Sequence, residues 1–338
     1  MARFLARFLA QLMALVMTAA CGFAAPGAAG FSAGSGHFCR KLPGLMDAPD
    51  RPAAPAPRRR EVRRRTDASV AGADDFLSAR TREELLSRLA LTATRPRRVL
   101  DAGAATGCAS AELARRYRGC RVVSLDLSPA RLAAARRSHG RFARRDEVAG
   151  DAARLPFRDR VFDMVFANLL LPWFGDPAPV LAEAARVLRP EGLFTFASLG
   201  PDSFRELREA WRAVDEEEHV QAFPDMHDLG DALVCAGLRD PVLDVERLTV
   251  TYAEPAALWR DLTAAGARNT LAGRSRGLAT PARFRRLAEA WERMRGEDGR
   301  LPLTLELVYG HCWGGSGLPG ADADGAVRIS PQQIMRRT

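Results

Sequence analysis

Apolar residues along this chain fall in short runs, each closed by a small or acidic residue and separated from the next by a stretch of helical spacing. Val99-Leu100 precedes Asp101, and Val122-Val123-Ser124-Leu125 precedes Asp126. Residues 161–168 are apolar except for Asp163 and the terminal Asn168, and residues 193–198 form a further run. Such runs, bounded by Gly, Pro and Asp, read as strands buried on both faces of a parallel sheet. A short third strand is expected ahead of Gly150-Asp151. Between the strands, residues 181–192 have the spacing of an amphipathic helix stopped by Pro190 and Gly192. Residues 74–89 read as another helix, packing ahead of the first strand. Beyond the fifth strand the pattern predicts helices at 203–215 and 226–236, a strand at 242–252, helices at 255–265 and 281–294, and a strand at 303–309. Strands alternating with helices indicate an α/β fold.

The loop after the first strand narrows the chemistry. Residues 103–107 read Gly-Ala-Ala-Thr-Gly, and Asp126 closes the second strand twenty-three positions past Gly103. A strand, a small-residue turn, a helix and a strand ending in a carboxylate form a nucleoside-binding βαβ unit. The carboxylate can accept hydrogen bonds from both ribose hydroxyls. A dinucleotide fingerprint would need G-x-G-x-x-G, but the spacing here is G-x-x-x-G from Gly103 to Gly107, with Ala105 at the middle glycine and Ala109 two positions after Gly107. The loop has no Lys or Arg and no following G-K-[ST], so a phosphate grip is disfavoured. A nucleoside without a phosphate fits better, and S-adenosylmethionine is the candidate.

Together, the segments at 99–107, 121–126, 150–157, 161–168 and 181–198 resemble the class I S-adenosylmethionine-dependent methyltransferases, over roughly residues 97–199. The resemblance implies a Rossmann-like fold with a seven-stranded, mostly parallel sheet closed by a hairpin of strands six and seven. The helical excursion between those two strands then forms a cover over the substrate site. It implies that Asp101, Gly103 and Gly107 shape the methionine side of the pocket, that Asp126 holds the ribose, and that Leu127 and Asp151 frame the adenine. Ala152 and Asn168 complete the implied cofactor set. The chain departs from the family pattern at Ala104 and Ala105, where Cys or Gly and then Gly are usual.

Composition and charge add limits. The chain has 338 residues, with a formal net charge of +9 and 47% hydrophobic residues, ordinary for a globular protein. Lys41 is the only lysine, so the basic excess is arginine, and it favours an acidic partner. The six cysteines show no ligand spacing and no disulfide framework, which points to a reduced, cytoplasmic setting. The histidines are scattered, so no metal is expected. Residues 9–20 are apolar behind Arg3 and Arg7, with Cys21 following, a pattern like an export signal. That stretch is short for a membrane span, and a start at Met46 is the favoured reading. The expected organisation is an extension and linker at 1–57, a catalytic domain at 58–313 and a loose tail at 314–338. The run Arg58-Arg59-Arg60-Glu61-Val62-Arg63-Arg64-Arg65 reads as a solvated helix start; contact with a carrier protein or a nucleic acid is the sharper alternative.

The segments after the fifth strand bear on the substrate. Residues 198–211, 213–216, 226–230, 248–252, 273–274 and 299–304 resemble the malonyl-[acyl-carrier protein] O-methyltransferases of biotin synthesis, with the likeness running from about residue 74 to residue 313. This implies methylation of the free carboxylate of a malonyl thioester on acyl-carrier protein, so that the masked chain can be elongated toward pimelate. A carboxylate is ionised at neutral pH and needs no general base, but it needs a cation to hold it, and Arg274 is the first candidate. The family's Phe and Tyr ahead of the first helix are replaced here by Arg64 and Ala71, with Phe76 the nearby aromatic. The alternatives are an arginine hydroxylase of the complex I assembly-factor type, another small-molecule methyltransferase, and a fold that only binds a partner. A nucleic-acid amino-methyltransferase is disfavoured, because residues 168–173 read Asn-Leu-Leu-Leu-Pro-Trp and lack the Asn-Pro-Pro-Tyr shape.

Overall fold

A computed structural model describes residues 59–68, 76–137, 145–264 and 280–315. Seven strands form one sheet in the order β3-β2-β1-β4-β5-β7-β6. They are β1 (Arg98–Ala102), β2 (Arg121–Asp126), β3 (Arg145–Ala149), β4 (Phe162–Asn168), β5 (Leu188–Leu199), β6 (Leu238–Tyr252) and β7 (Leu301–Gly314). Strands β1 to β5 run parallel, whereas β7 is antiparallel to both β5 and β6. The helices are α1 (Arg59–Ala68), α2 (Phe76–Arg88), α3 (Cys108–Arg116), α4 (Pro129–Arg137), α5 (Ala178–Val187), α6 (Arg205–Arg212), α7 (Met226–Cys235), α8 (Pro255–Ala264) and α9 (Pro281–Glu292). None of the described helices is long and apolar enough to cross a membrane.

The central strands are buried on both faces, as their unbroken apolar runs require. One layer of core joins Leu100, Val165, Phe194 and Phe196 to Leu181 and Val187 of α5 and to Leu229 and Leu233 of α7. The opposite layer joins Val99, Met164, Phe166 and Leu307 to Leu85 of α2 and Leu113 of α3. A third cluster, including Leu207, Leu258, Leu287, Trp291 and Leu303, binds α6, α8 and α9 over the end of the β6–β7 pair. Helices α8 and α9 of this cluster come from the excursion between β6 and β7 expected to cover the substrate site.

Several element ends differ from the sequence reading. The fifth strand starts at Leu188, because α5 stops at Val187, ahead of Pro190, and Leu188 already pairs with Phe162. Glu191 then adopts a left-handed backbone (φ 62°) before the register resumes at Met164 and Leu193. The helix expected from 203 begins at Arg205, since Phe204 takes φ 61°. Strand β6 begins at Leu238 and passes Pro241 with a register shift between Arg239 and Val242. Strand β7 runs through Gly310, where a Cβ would come within 2.4 Å of the Phe196 ring, so this glycine marks close packing rather than a strand end. From Arg59 on, the Arg-rich run is helical, as α1, with Val62 and Thr66 buried and Arg63 and Arg64 exposed; Arg58 lies outside the described residues.

Asp163, the one charged side chain in β4, lies at the amino end of the sheet. Its Oδ2 accepts from the backbone N–H groups of Arg97 and Arg98, each at 2.9 Å, and its Oδ1 from Arg189 at 2.5 Å. Burial opposes its charge, but these donors win and hold the carboxyl below the usual range. Asp163→Ala should therefore cost about 1–3 kcal/mol at pH 7, because two strand-edge N–H groups lose their acceptor. A depressed carboxyl stabilises above its unfolded pKa and loses that contribution as pH falls through its folded value. In denaturant titrations the gap between variant and wild type should thus close as the pH drops below about 4; a constant gap would refute this role.

Candidate cofactor and substrate site

The loop between β1 and α3 is shaped by backbone conformations that favour residues with small or absent side chains. Gly103 and Gly107 have φ of 78° and 79°, and Ala105 between them has φ 47°. A Cβ on Gly103 would lie 3.0 Å from Leu170 Cδ1, and one on Gly107 would lie 2.9 Å from Ala135 Cβ. Both glycines are thus fixed by conformation and by space. Ala105 bears the strain of a left-handed non-glycine residue. Its N–H is recovered by Asp126, whose Oδ2 accepts it at 2.9 Å.

Two buried carboxylates flank this loop. Asp126, at the end of β2, also accepts from Ser128 N through Oδ1 at 2.7 Å. Ser128 Oγ in turn donates to Asp67 of α1 and accepts from Arg131 N. Burial pushes the Asp126 carboxyl up, while the Ser128 and Ala105 amides and the Arg131 charge pull it down. Asp101, at the end of β1, is 1% exposed and accepts from Ser110 Oγ of α3 at 2.5 Å, with Ser124 Oγ 2.6 Å from the same hydroxyl. Burial raises its pKa to about 6, with the nearby Asp126 charge adding to the rise and Ser110 opposing it.

The other expected residues sit around the same loop. In the parallel β1–β4 register Asp101 faces Phe166, and two residues farther on stand Gly103 and Asn168. Asn168 donates through Nδ2 to Ser78 O of α2 at 2.9 Å, while its Oδ1 is buried without a hydrogen-bond partner. Leu127 is partly exposed. Asp151 follows β3, caps the turn by accepting from Ala153 N at 3.0 Å, and precedes the buried Ala152. Arg274, expected from the sequence to hold the substrate, lies outside the described residues, as does Ala71. Arg64 is exposed on α1, and Phe76 is 61% exposed at the start of α2.

This donor set fits S-adenosylmethionine. The loop supplies a close backbone approach, Asp126 can accept from a diol, and the orphaned Asn168 Oδ1 can accept from an ammonium. No basic side chain within the loop invites a phosphate. Two features escaped the sequence reading. Ser110 and Ser124 look like ordinary helix and strand residues, yet Ser110 donates to Asp101 and Ser124 bonds to Ser110. Asp67 and Ser78 lie in the leading helices, whose bonds to Ser128 and Asn168 have no sequence signature.

Beyond β5 a second polar assembly fixes the loop at 200–204. Gly200 N donates to Glu306 O at 2.8 Å, Asp202 N to Glu306 Oε2 at 2.9 Å, and Phe204 N to Thr304 O at 2.8 Å. Glu206, 7% exposed, accepts from Thr304 N at 2.8 Å and Thr304 Oγ1 at 2.5 Å. Farther out, Asp215, Glu217 and His219 converge closely enough to suggest a cation site. Arg283 occupies that role, donating to Asp215 Oδ2 and Glu217 Oε2, each at 2.7 Å.

Comparisons with known proteins agree with this geometry. A family model described as a methyltransferase domain matches residues 100–196. The chain is 45% identical over 283 residues to a malonyl-[acyl-carrier protein] O-methyltransferase of Halorhodospira halophila, covering 82% of this chain and 96% of that one. It is 47% identical over 239 residues to the protein of the same description from Laribacter hongkongensis, covering 68% and 80%. The chain belongs to the malonyl-[acyl-carrier protein] O-methyltransferase family. Among solved structures, a candidate methyltransferase of Bacillus halodurans matches with TM-score 0.51 at 20% identity, over 69% of this chain and 100% of that one. The YcgJ protein of Bacillus subtilis matches with TM-score 0.51 at 17% identity, over 70% and 99%. These two share the fold. Membership of the malonyl-[acyl-carrier protein] O-methyltransferase family makes the chain an S-adenosylmethionine-dependent methyltransferase, and the loop's donor set fits that cofactor.

Two measurements test the site. Asp126→Ala removes charge-assisted acceptors worth about 2–3 kcal/mol, so calorimetry should show S-adenosylhomocysteine binding weakened by about two decades. Unchanged affinity would sink the assignment. Asp101→Asn tests the raised carboxyl. A folded-state pKa above the unfolded one means that folding takes up a proton, so stability falls as pH rises from about 4 to 6. The asparagine variant of the ligand-free protein should lose this slope and melt above wild type at pH 8, converging with it near pH 4. A parallel pair of melting curves would count against it.

Proposed function

We propose that this chain transfers a methyl group from S-adenosylmethionine to the free carboxylate of a malonyl thioester on acyl-carrier protein, in the cytoplasm, as a step toward biotin. The observation that carries this reading is the 45% identity that spans 96% of a relative bearing that description. We take residues 58–313 as the catalytic unit, with Asp101, Gly103, Gly107, Asp126, Leu127, Asp151, Ala152 and Asn168 forming the cofactor pocket.

When bound, the cofactor supplies an electrophilic methyl on a positively charged sulfur. The protein's own task is alignment. Asp126 orients the ribose and, through Ala105 N, the loop beneath it. The buried carboxyl of Asp101 and the free acceptor of Asn168 set the polarity of the methionine side. A carboxylate nucleophile brings its own electron pair, so no side chain need remove a proton. Orienting the two reactants and excluding water supply the rate. The loop at 200–204, clamped onto Thr304 and Glu306, holds the substrate end where ligands sit in open α/β sheets, outside the carboxyl ends of the strands.

Labelled S-adenosylmethionine with malonyl-carrier protein should give a carrier one methyl heavier, whose label is released by mild base. Acetyl-carrier protein, which lacks the free carboxyl, should not be labelled. Between pH 7 and 9 the rate should show no limb from a histidine or lysine, since the substrate is ionised throughout. A base-stable product, or hydroxylation of an arginine with no methyl transferred, would overturn the reading.

A further inference from the structure

Around the loop after β5 the charged side chains pair off. Arg205 lies 3.1 Å from Glu206 Oε1. Arg247 lies 3.0 Å from Asp202 and 3.5 Å from Glu306. Arg283 lies between Asp215 and Glu217. Arg208, on α6, is the exception among these. Its Nη1 donates to Pro201 O at 2.9 Å and its Nη2 to Ser203 O at 2.6 Å, and its Nε is buried without a hydrogen-bond partner. The guanidinium therefore touches only neutral carbonyls. Asp202, Glu206 and Glu218 are near enough to be felt but form no ion pair with it, and Arg212 repels it. Burial is the largest influence on its charge, and it is unfavourable. A partly buried cation bonded only to carbonyls is costly unless an anion completes it.

We infer that Arg208 completes the site as the cation that holds the substrate's free carboxylate. Its place supports this. The two carbonyls it grips belong to the loop at the carboxyl end of β5, beside the end of the sheet where ligands sit. Those bonds keep its fork still, and with Nε buried they leave one N–H on each Nη for a carboxylate. Arginine suits the task because its planar fork matches a carboxylate and its charge does not titrate away. The sequence gives no way to choose it, since Arg205, Arg208 and Arg212 all lie within one helix. Their partners separate them. This inference rests on the proposed malonyl-carrier substrate and adds the residue that would recognise it.

A structural staple for the 200–204 loop would also use those carbonyl bonds, so the test must see the carboxylate itself. We would measure binding of malonyl-carrier and acetyl-carrier protein to the full chain with S-adenosylhomocysteine present, for wild type, Arg208→Met, Arg208→Lys and Arg274→Met. The ratio of the two affinities isolates the free carboxyl. It should favour malonyl about 100-fold in wild type, as a desolvated charge pair does, and fall to near one in Arg208→Met. Arg208→Lys should restore part of it, through charge without the fork. A variant that merely loosens the loop would weaken both carriers alike and leave the ratio intact, which would overturn the inference. Collapse of the ratio in Arg274→Met with Arg208→Met unaffected would overturn it too, and assign the carboxylate to Arg274. A wild-type ratio near one would instead overturn the malonyl substrate, and the inference with it.

Discussion

The carboxylate of Asp126 is the point on which the cofactor end of this fold turns. It closes β2, and its two oxygens accept from Ala105 N and Ser128 N, one on each side of the pocket. The first bond holds a left-handed alanine in a loop whose family pattern favours glycine. The second holds the start of α4 and, through Ser128 Oγ, the leading helix α1 by way of Asp67. One side chain thus sets the loop, the helix beside it and the segment that precedes the sheet. A burial of 6% exposure is expensive for a carboxylate. The amides meet part of that cost, and a ribose diol would meet more of it.

A second acidic assembly does the matching work across the sheet. Thr304 and Glu306, on β7, stand beside the carboxyl end of β5 because β7 runs antiparallel to it. That reversal puts the amino end of β7 next to the loop at 200–204. Glu306 then binds the N–H of Asp202 within the loop, and Glu206, just past it, binds the N–H of Thr304 on β7. Gly200 is required there: a Cβ would fall 2.5 Å from Glu306 Oε2. The topology and the glycine together explain how a loop that must stay in place for substrate can be fixed without covering it.

The sequence revealed the sheet more fully than the site. Parallel strands buried on both faces leave unbroken apolar runs, so β1, β2, β4 and β5 were legible, and the carboxylates closing β1 and β2 pointed to the loop that both flank. Element ends were less legible because they depend on contacts far away in the chain. Gly310 looks like a strand end until Phe196 is found against it, and Phe204 looks helical until its N–H is found bonded to Thr304. The partner of Asp101 was illegible for a related reason: nothing in the spacing of Ser110 and Ser124 shows that one donates to the carboxyl and the other bonds to it in turn. The choice among the arginines was the hardest, since 49 of the chain's 50 basic residues are arginine. Composition makes each of them equally plausible, and only the pairing of charges in space distinguishes them.

That pairing bears on how the two halves of the site divide the work. The cofactor half is rich in acceptors: Asp101, Asp126 and the orphaned Asn168 Oδ1 all favour a ligand that brings positive charge and hydroxyl donors. The substrate half has its carboxylates already neutralised by Arg205, Arg247 and Arg283, which leaves Arg208 as a cation held by carbonyls. A cationic methyl donor and an anionic acceptor would therefore meet between walls of opposite preference. Methyl transfer between them annihilates both charges, so a site of low dielectric favours the transition state over the separated ions. The same polarity would hold an amine or a neutral hydroxyl poorly, because neither brings the negative charge that Arg208 lacks. On the role proposed for Arg208, selection of a carboxylate follows from the charge balance of the two walls, without a base anywhere in the loop.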